Sequence, residues 1–169
     1  MSTATDARNR TRIDVSSEVP MVTITREFDA PVQRVFRAYV EPELFRQWIG
    51  PRDRTFELDV FECRTGGAWR YRTGLDNGSQ ARFFGSFHEV RPDERIVQTF
   101  TFEGFPDSVA LETAIFEDLG GDRCRVTSTS LVDSFEARDA FVASGMESGV
   151  VEGYQKLDEL LVVLGHPSD

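Results

Sequence analysis

Between Thr55 and Leu131 the chain is cut at hairpin intervals by residues that turn a backbone: Gly66-Gly67, Asp76-Asn77-Gly78, Pro92-Asp93, Gly104-Phe105-Pro106 and Gly120-Gly121. Each break supplies the freedom in φ, or the fixed φ, that a tight turn needs. The runs between them are Thr55 to Cys63, Ala68 to Thr73, Ala81 to Val90, Arg95 to Glu103, Ala110 to Asp118 and Asp122 to Leu131. Strands joined by so few residues must run antiparallel, because parallel neighbours need a crossover of a dozen residues or more. The spacing predicts a six-stranded antiparallel meander.

A single sheet of this size needs a cover for its apolar face, and the flanking segments provide one. Met21 to Phe28 alternates as a further strand, with Val22, Ile24 and Arg26 on one side. Asp29-Ala30-Pro31 ends it, and Val32, Val35, Phe36 and Tyr39 then recur at helical spacing until Pro42. A second short helix from Pro42 to about Trp48 carries Leu44, Phe45 and Trp48 on one face, closed by Gly50-Pro51. Ser134 to Leu164 reads as one long amphipathic helix, with Phe135, Phe141, Met146, Val150, Tyr154, Leu157, Leu161 and Leu164 broadly on one face. Inside it stand Gly145, Gly149 and Gly153, each costing about 1 kcal/mol relative to alanine. Two reasons for that cost stay open: close packing against strands, or space left for a ligand. The fold class is therefore α+β, a curved antiparallel sheet in β-α-α-β6-α order around a long C-terminal helix. Residues 1–20 read as a flexible polar tail, 21–165 as one domain and 166–169 as a second tail.

Charge and composition exclude several classes of function. With 29 acidic against 19 basic residues the formal net charge is −10, which repels phosphate backbones and anionic lipid surfaces. Nucleic-acid binding and membrane insertion are not expected, since no apolar run reaches the roughly 18 residues of a span. The polar N-terminus carries no signal-peptide pattern, so a cytoplasmic place is expected. Cys63 and Cys124 then read as small buried apolar groups. His88 and His166 are the sole histidines, and no zinc spacing exists. No metal or cofactor is expected. A nucleophile elbow and a phosphate-cradling loop before a helix are both missing, so no catalytic residue is assigned.

What remains is an unusual supply of aromatic side chains: 14 Phe, 3 Tyr and 2 Trp. They are core by default, yet where one sheet curls around one helix the separation varies and close packing can fail in the middle. Trp48, Trp69, Tyr71, Phe83, Phe87, Phe100, Phe102 and Tyr154 are the wall candidates, joined on the helix by Met146, Gly149, Val150 and Gly153. Trp69 and Tyr71 share one face of their strand, as do Phe100 and Phe102. Which face is the inner one is left open by the alternation alone.

The order of elements also resembles the START-like superfamily, known too as Bet v 1-like, SRPBCC or helix-grip, and within it the branch named after the activator of Hsp90 ATPase. The resemblance rests on Arg26-Glu27-Phe28-Asp29-Ala30-Pro31 before Val35-Phe36, then Glu41-Pro42-Glu43-Leu44 through Trp48 to Gly50-Pro51. It continues through Arg64-Thr65-Gly66-Gly67-Ala68-Trp69, Gly85, Glu89-Val90-Arg91-Pro92, and Gly149 to Gly153 with Leu157 and Leu160. Tyr154 departs from it, standing where that branch often has tryptophan. The co-chaperones behind the name carry a further N-terminal Hsp90-binding domain, where this chain has its short polar segment.

The resemblance implies a cavity between sheet and C-terminal helix, and it draws Arg64 into the set of ligand-binding candidates, where an inward guanidinium would meet a carboxylate or carbonyl. Glu62, Arg64, Arg70 and Arg72 read equally as an exposed ion-pair ladder. The expected function is binding of a small hydrophobic ligand, lipid, polyketide-like or similar, by a monomer or homodimer. The alternatives are a cyclase- or hydrolase-type enzyme using Glu62 or Glu112 with the phenol of Tyr154, and a chaperone-interaction or stress-response module.

Overall fold

A computed structural model of the protein describes residues 7–74 and 77–166. A 3-10 turn at Ala7–Asn9 leads into β1 (Arg12–Val15) and β2 (Met21–Phe28). Two short helices follow, α1 (Val32–Val40) and α2 (Pro42–Trp48). The meander comprises β3 (Phe56–Phe61), β4 (Ala68–Gly74), β5 (Gln80–Arg91), β6 (Arg95–Phe102), β7 (Ala110–Gly120) and β8 (Arg123–Leu131). Two helices close the chain, α3 (Phe135–Ala143) and α4 (Met146–Gly165). All eight strands form one antiparallel sheet in the order β1-β2-β8-β7-β6-β5-β4-β3, curled around α4 in a helix-grip fold. Register shifts at Leu58/Val60, Phe87/Glu89 and Asp118/Gly120 help the curl, since a bulge bends its strand and tightens the local twist.

Gly85 marks the sharpest approach on the inner surface. A Cβ there would lie 2.6 Å from Trp69 Nε1 and collide with the Thr99 carbonyl oxygen, so only glycine lets the indole lie across β5.

The core fills one end of the grip. Phe28, Val35, Cys124, Val126 and Leu157 are fully enclosed, and Leu160, Leu161 and Tyr154 complete the α4 face that packs there. Full burial of each such aliphatic side chain contributes about 1.5–3 kcal/mol. Arg26 sits in the same core at 1% exposure, forked onto both oxygens of Asp158 on α4 and donating to the Glu27 carbonyl oxygen at 2.8 Å. On the other flank Lys156 Nζ donates to the Ile49 carbonyl oxygen at 3.2 Å, and Arg52 pairs with Glu159 at 2.7 Å. The second half of α4 is thereby tied to β2 and to the segment after α2.

Two expectations change. The segment 134–164 is two helices, because Ser144 ends α3 and Gly145 adopts φ 85°, a left-handed conformation that favours glycine. Gly145 is therefore a helix breaker rather than a helix residue. Within residues 1–20, the described part carries a strand: β1 pairs with β2 from Arg12↔Thr25 to Val15↔Val22. Asn9 is buried, donating to Asp29 at 2.7 Å, while Arg123 reaches Asn9, Asp29 and Glu27. No alternation marks β1 because both of its faces are largely exposed. Residues 1–6, 75–76 and 167–169, which include the outer parts of both expected tails and Asp76 of one expected turn, lie outside the described residues.

Candidate functional site

The grip opens into a cavity of about 420 Å³, between the inner faces of β2 to β8, the two short helices, Phe141 of α3 and the first turns of α4. Register decides which side chains face it. Trp69 and Tyr71 on β4 oppose Gly85 and Phe83 on β5, and Phe83 faces Phe102 across β6. The rings form a continuous wall: Trp69 stacks on Tyr71 at 5.1 Å, Tyr71 meets Phe83 at 5.3 Å, and Phe83 meets Phe100 at 5.3 Å. From the helices Phe45 stacks on Phe61 at 4.8 Å, and Trp48 lies parallel to Tyr154 at 6.2 Å. Trp48 is held by its indole N–H, which donates to the Ala38 carbonyl oxygen at 2.8 Å.

One side of this wall is polar. Glu112 on β7 lies among the lining residues, and its carboxyl is bracketed by neighbours on both sides: Gln98 Nε2 on β6 donates to Oε1 at 3.2 Å and Ser130 Oγ on β8 to Oε2 at 3.2 Å. Register pairs Glu112 directly with both of them. Burial pushes the carboxyl up to about 7, against the opposing pull of those two hydrogen bonds. Nearby, Tyr39 and Tyr154 hydrogen-bond to one another, and Ser128 bonds Tyr154. Desolvation raises both phenols, as it does Tyr71, so all three stay protonated. Among the described residues lining the cavity, the ionisable groups are Glu112 and these three tyrosines.

Most residues read as wall candidates line this cavity: Trp48, Trp69, Tyr71, Phe83, Phe87 and Phe100 from α2 and the sheet, with Met146, Gly149, Val150, Gly153 and Tyr154 from α4. Phe102 does not. It touches Phe83 at 5.3 Å but stands at the end of β6, 36% exposed, past the cavity. Arg64 is also outside, 67% exposed and paired with Glu62 at 3.5 Å, because the Gly66-Gly67 turn carries both side chains into solvent. Glu62 is thereby removed from any acid–base role in the cavity. Arg70 pairs with Glu103, and Arg72 with Glu57 and Asp59, on the outer face of the sheet. His88 is exposed. Cys63 and Cys124 are unpaired thiols that burial pushes up to about 12, so neither offers a thiolate.

The helix glycines divide by task. A Cβ on Gly153 would come within 3.2 Å of the Trp48 carbonyl oxygen, so this glycine permits close packing. On Gly149 it would meet Pro51 at 3.9 Å, an ordinary contact, so this position borders open space. Sequence reasoning missed Tyr39, Phe45 and Gln98 as lining residues. Gln98 shares strand parity with Phe100, which would have located it once the inner face was known.

A helix-grip sheet closed over an aromatic cavity defines the START-like class. Residues 29–162 match the family of activator of Hsp90 ATPase homolog 1-like proteins, and the chain belongs to that family. The fold is shared with solved bacterial proteins. One from Rhodobacter sphaeroides is 25% identical with a TM-score of 0.82, over 92% of this chain and 100% of that one. One from Arthrobacter aurescens is 26% identical with a TM-score of 0.81, over 94% and 93%. A third, from Mycobacterium smegmatis, is 24% identical with a TM-score of 0.81, over 89% and 96%. No curated protein matches the chain. No helix among the described residues is long and apolar enough to cross a membrane.

Proposed function

We propose that this protein binds an apolar or aromatic small molecule in the cavity between sheet and α4, as a cytoplasmic carrier or sensor rather than an enzyme. The observation that carries the reading is the unbroken ring wall from Trp69 through Tyr71 and Phe83 to Phe100, facing a cavity of about 420 Å³. A volume of this order is that of a small-ligand site, and aromatic faces contribute contact area with few conformations to lose. Two free thiols, Cys124 buried and Cys63 half-buried, suit a reducing compartment.

Native mass spectrometry of protein purified from its own host, with extraction of whatever copurifies, tests the reading directly. A calorimetric titration with 2-naphthylmethanol, a neutral bicyclic probe, tests it without knowledge of the natural ligand. Micromolar binding that disappears when the cavity is filled by Ala114→Trp is the expected result. No copurifying molecule and no binding of this probe would remove the carrier reading.

A second reading, acid–base chemistry on the bound molecule, is favoured by one observation. Glu112 lines the cavity between Gln98 and Ser130, and burial pushes its carboxyl up to about 7, where it both holds and releases a proton at neutral pH. It is separated from carriage by turnover: an enzyme changes the extracted molecule on incubation, and Glu112→Gln stops the change.

A further inference from the structure

The lining of the cavity is one-sided in charge, and that property selects among apolar ligands. Its single carboxyl is Glu112, while no lysine, arginine or histidine lines it among the described residues. The Arg26 guanidinium lies 5.9 Å from the centroid of the Tyr154 ring and is already forked onto Asp158. Gln98 and Ser130 each donate to one oxygen of Glu112, and a carboxylate oxygen accepts two hydrogen bonds, so each retains a lone pair. The cavity is also lined by the rings of Trp69, Tyr71, Phe83 and Phe100, and the faces of such rings attract cations.

Resting on the carrier reading above, we propose that the cavity is specific for amphiphiles with an aromatic or apolar body and a basic nitrogen, the protonated amine pairing with Glu112. A cationic amine meets the carboxylate once its proton has left to solvent. A neutral amine takes that proton directly from the carboxylic acid. Both routes end in the same ammonium–carboxylate pair, held in a low-dielectric site where such a bond is strong. A fatty acid or other carboxylate is disfavoured, since its head would lie in an apolar cavity with no cation to meet it. Gln98 on β6 and Ser130 on β8 hydrogen-bond Glu112, whose charge is felt in turn by Tyr71 on β4 and Tyr154 on α4, and none of these groups brings a positive charge.

Three probes with one ring system and different heads test this: 2-naphthylmethylamine, 2-naphthylmethanol and 2-naphthoate, titrated calorimetrically into the full chain at pH 7.5. The amine is expected to bind at least about tenfold more tightly than the alcohol, with the carboxylate weakest. Glu112→Gln is expected to bring amine and alcohol to within about threefold of each other. The preference of the unaltered protein for the amine is also expected to narrow from pH 8 to pH 5, as protonation of Glu112 competes, which tests the idea independently of any variant. Equal binding of amine and alcohol, a tighter carboxylate, or a preference that survives both Glu112→Gln and acid pH overturns the inference and leaves the carrier reading standing. Failure of all three probes overturns this inference, and when no molecule copurifies it removes the carrier reading as well.

Discussion

Replacing Glu112 by glutamine is expected to stabilise the protein, and by an amount that depends on pH. The side chain keeps its shape, so the change removes a titration while leaving the volume intact. In the folded chain burial holds the carboxyl up to about 7, whereas in the unfolded chain it returns to its ordinary 4.5. Between those values the folded protein binds a proton that the unfolded chain releases, so raising the pH favours unfolding. The gap, at about 1.4 kcal/mol for each pH unit, comes to about 3 kcal/mol once the pH is well above 7. The sequence pI of about 4.7 argues against working at the acid end, where solubility is poorest. From pH 5.5 to 8.5 about 2 kcal/mol of the penalty develops. Urea unfolding of both proteins at several pH values measures it, with the glutamine variant as reference so that every other titrating group cancels. A stability difference that stays flat across this range, or one that shrinks as the pH rises, refutes the placement of Glu112 in a desolvated wall.

Three further outcomes are expected. Asp158→Ala strands the Arg26 guanidinium in the core and is expected to cost about 3 kcal/mol in urea unfolding, whereas replacing both partners by leucine or methionine costs far less; equal losses would contradict a buried pair. Gly149→Ala, which borders space, is expected to add up to about 1 kcal/mol of stability through helix propensity and so raise the melting temperature. Gly153→Ala, pressed against the Trp48 carbonyl, and Gly145→Ala, in a left-handed turn, are expected to lower it, and a uniform response of all three would defeat that division. In a Trp48→Phe variant the fluorescence of Trp69 is expected to report ligand entry by quenching, and an unaffected signal with the probe bound would place the ligand elsewhere.

The meander was legible because its turns and its alternation are local signals: β2 and α2 fall where the sequence places them, and the six later strands agree within a few residues. The helix break at Ser144-Gly145 was hidden because glycine is tolerated within a helix and the apolar face continues across it. β1 was hidden for the opposite reason, having no buried face to announce it. In the cavity, aromatic residues could be picked by type and parity, but Phe102 shows the weakness of that method: parity gives the face and says nothing of where along a strand the cavity ends. Arg64 was chosen by resemblance, yet the Gly66-Gly67 turn that accompanies it directs it to solvent. The grouping of Glu112 with Gln98 and Ser130 depends on the register of the neighbouring strands β6, β7 and β8, which the geometry of the connecting loops sets and strand alternation does not reveal.

The charged ties that hold α4, through Lys156, Asp158 and Glu159, lie in its second half, along with the enclosed Leu157 and Leu161. Its first two turns, from Met146 to Gly153, border the cavity and follow directly on a left-handed residue. The helix is thus moored at one end like a springboard. Lifting that end alone would expose the interior without disturbing the packing around Leu157. Amide hydrogens in those first turns are expected to exchange well before those around Leu157, the helix opening where it borders the cavity and staying shut where the core is built.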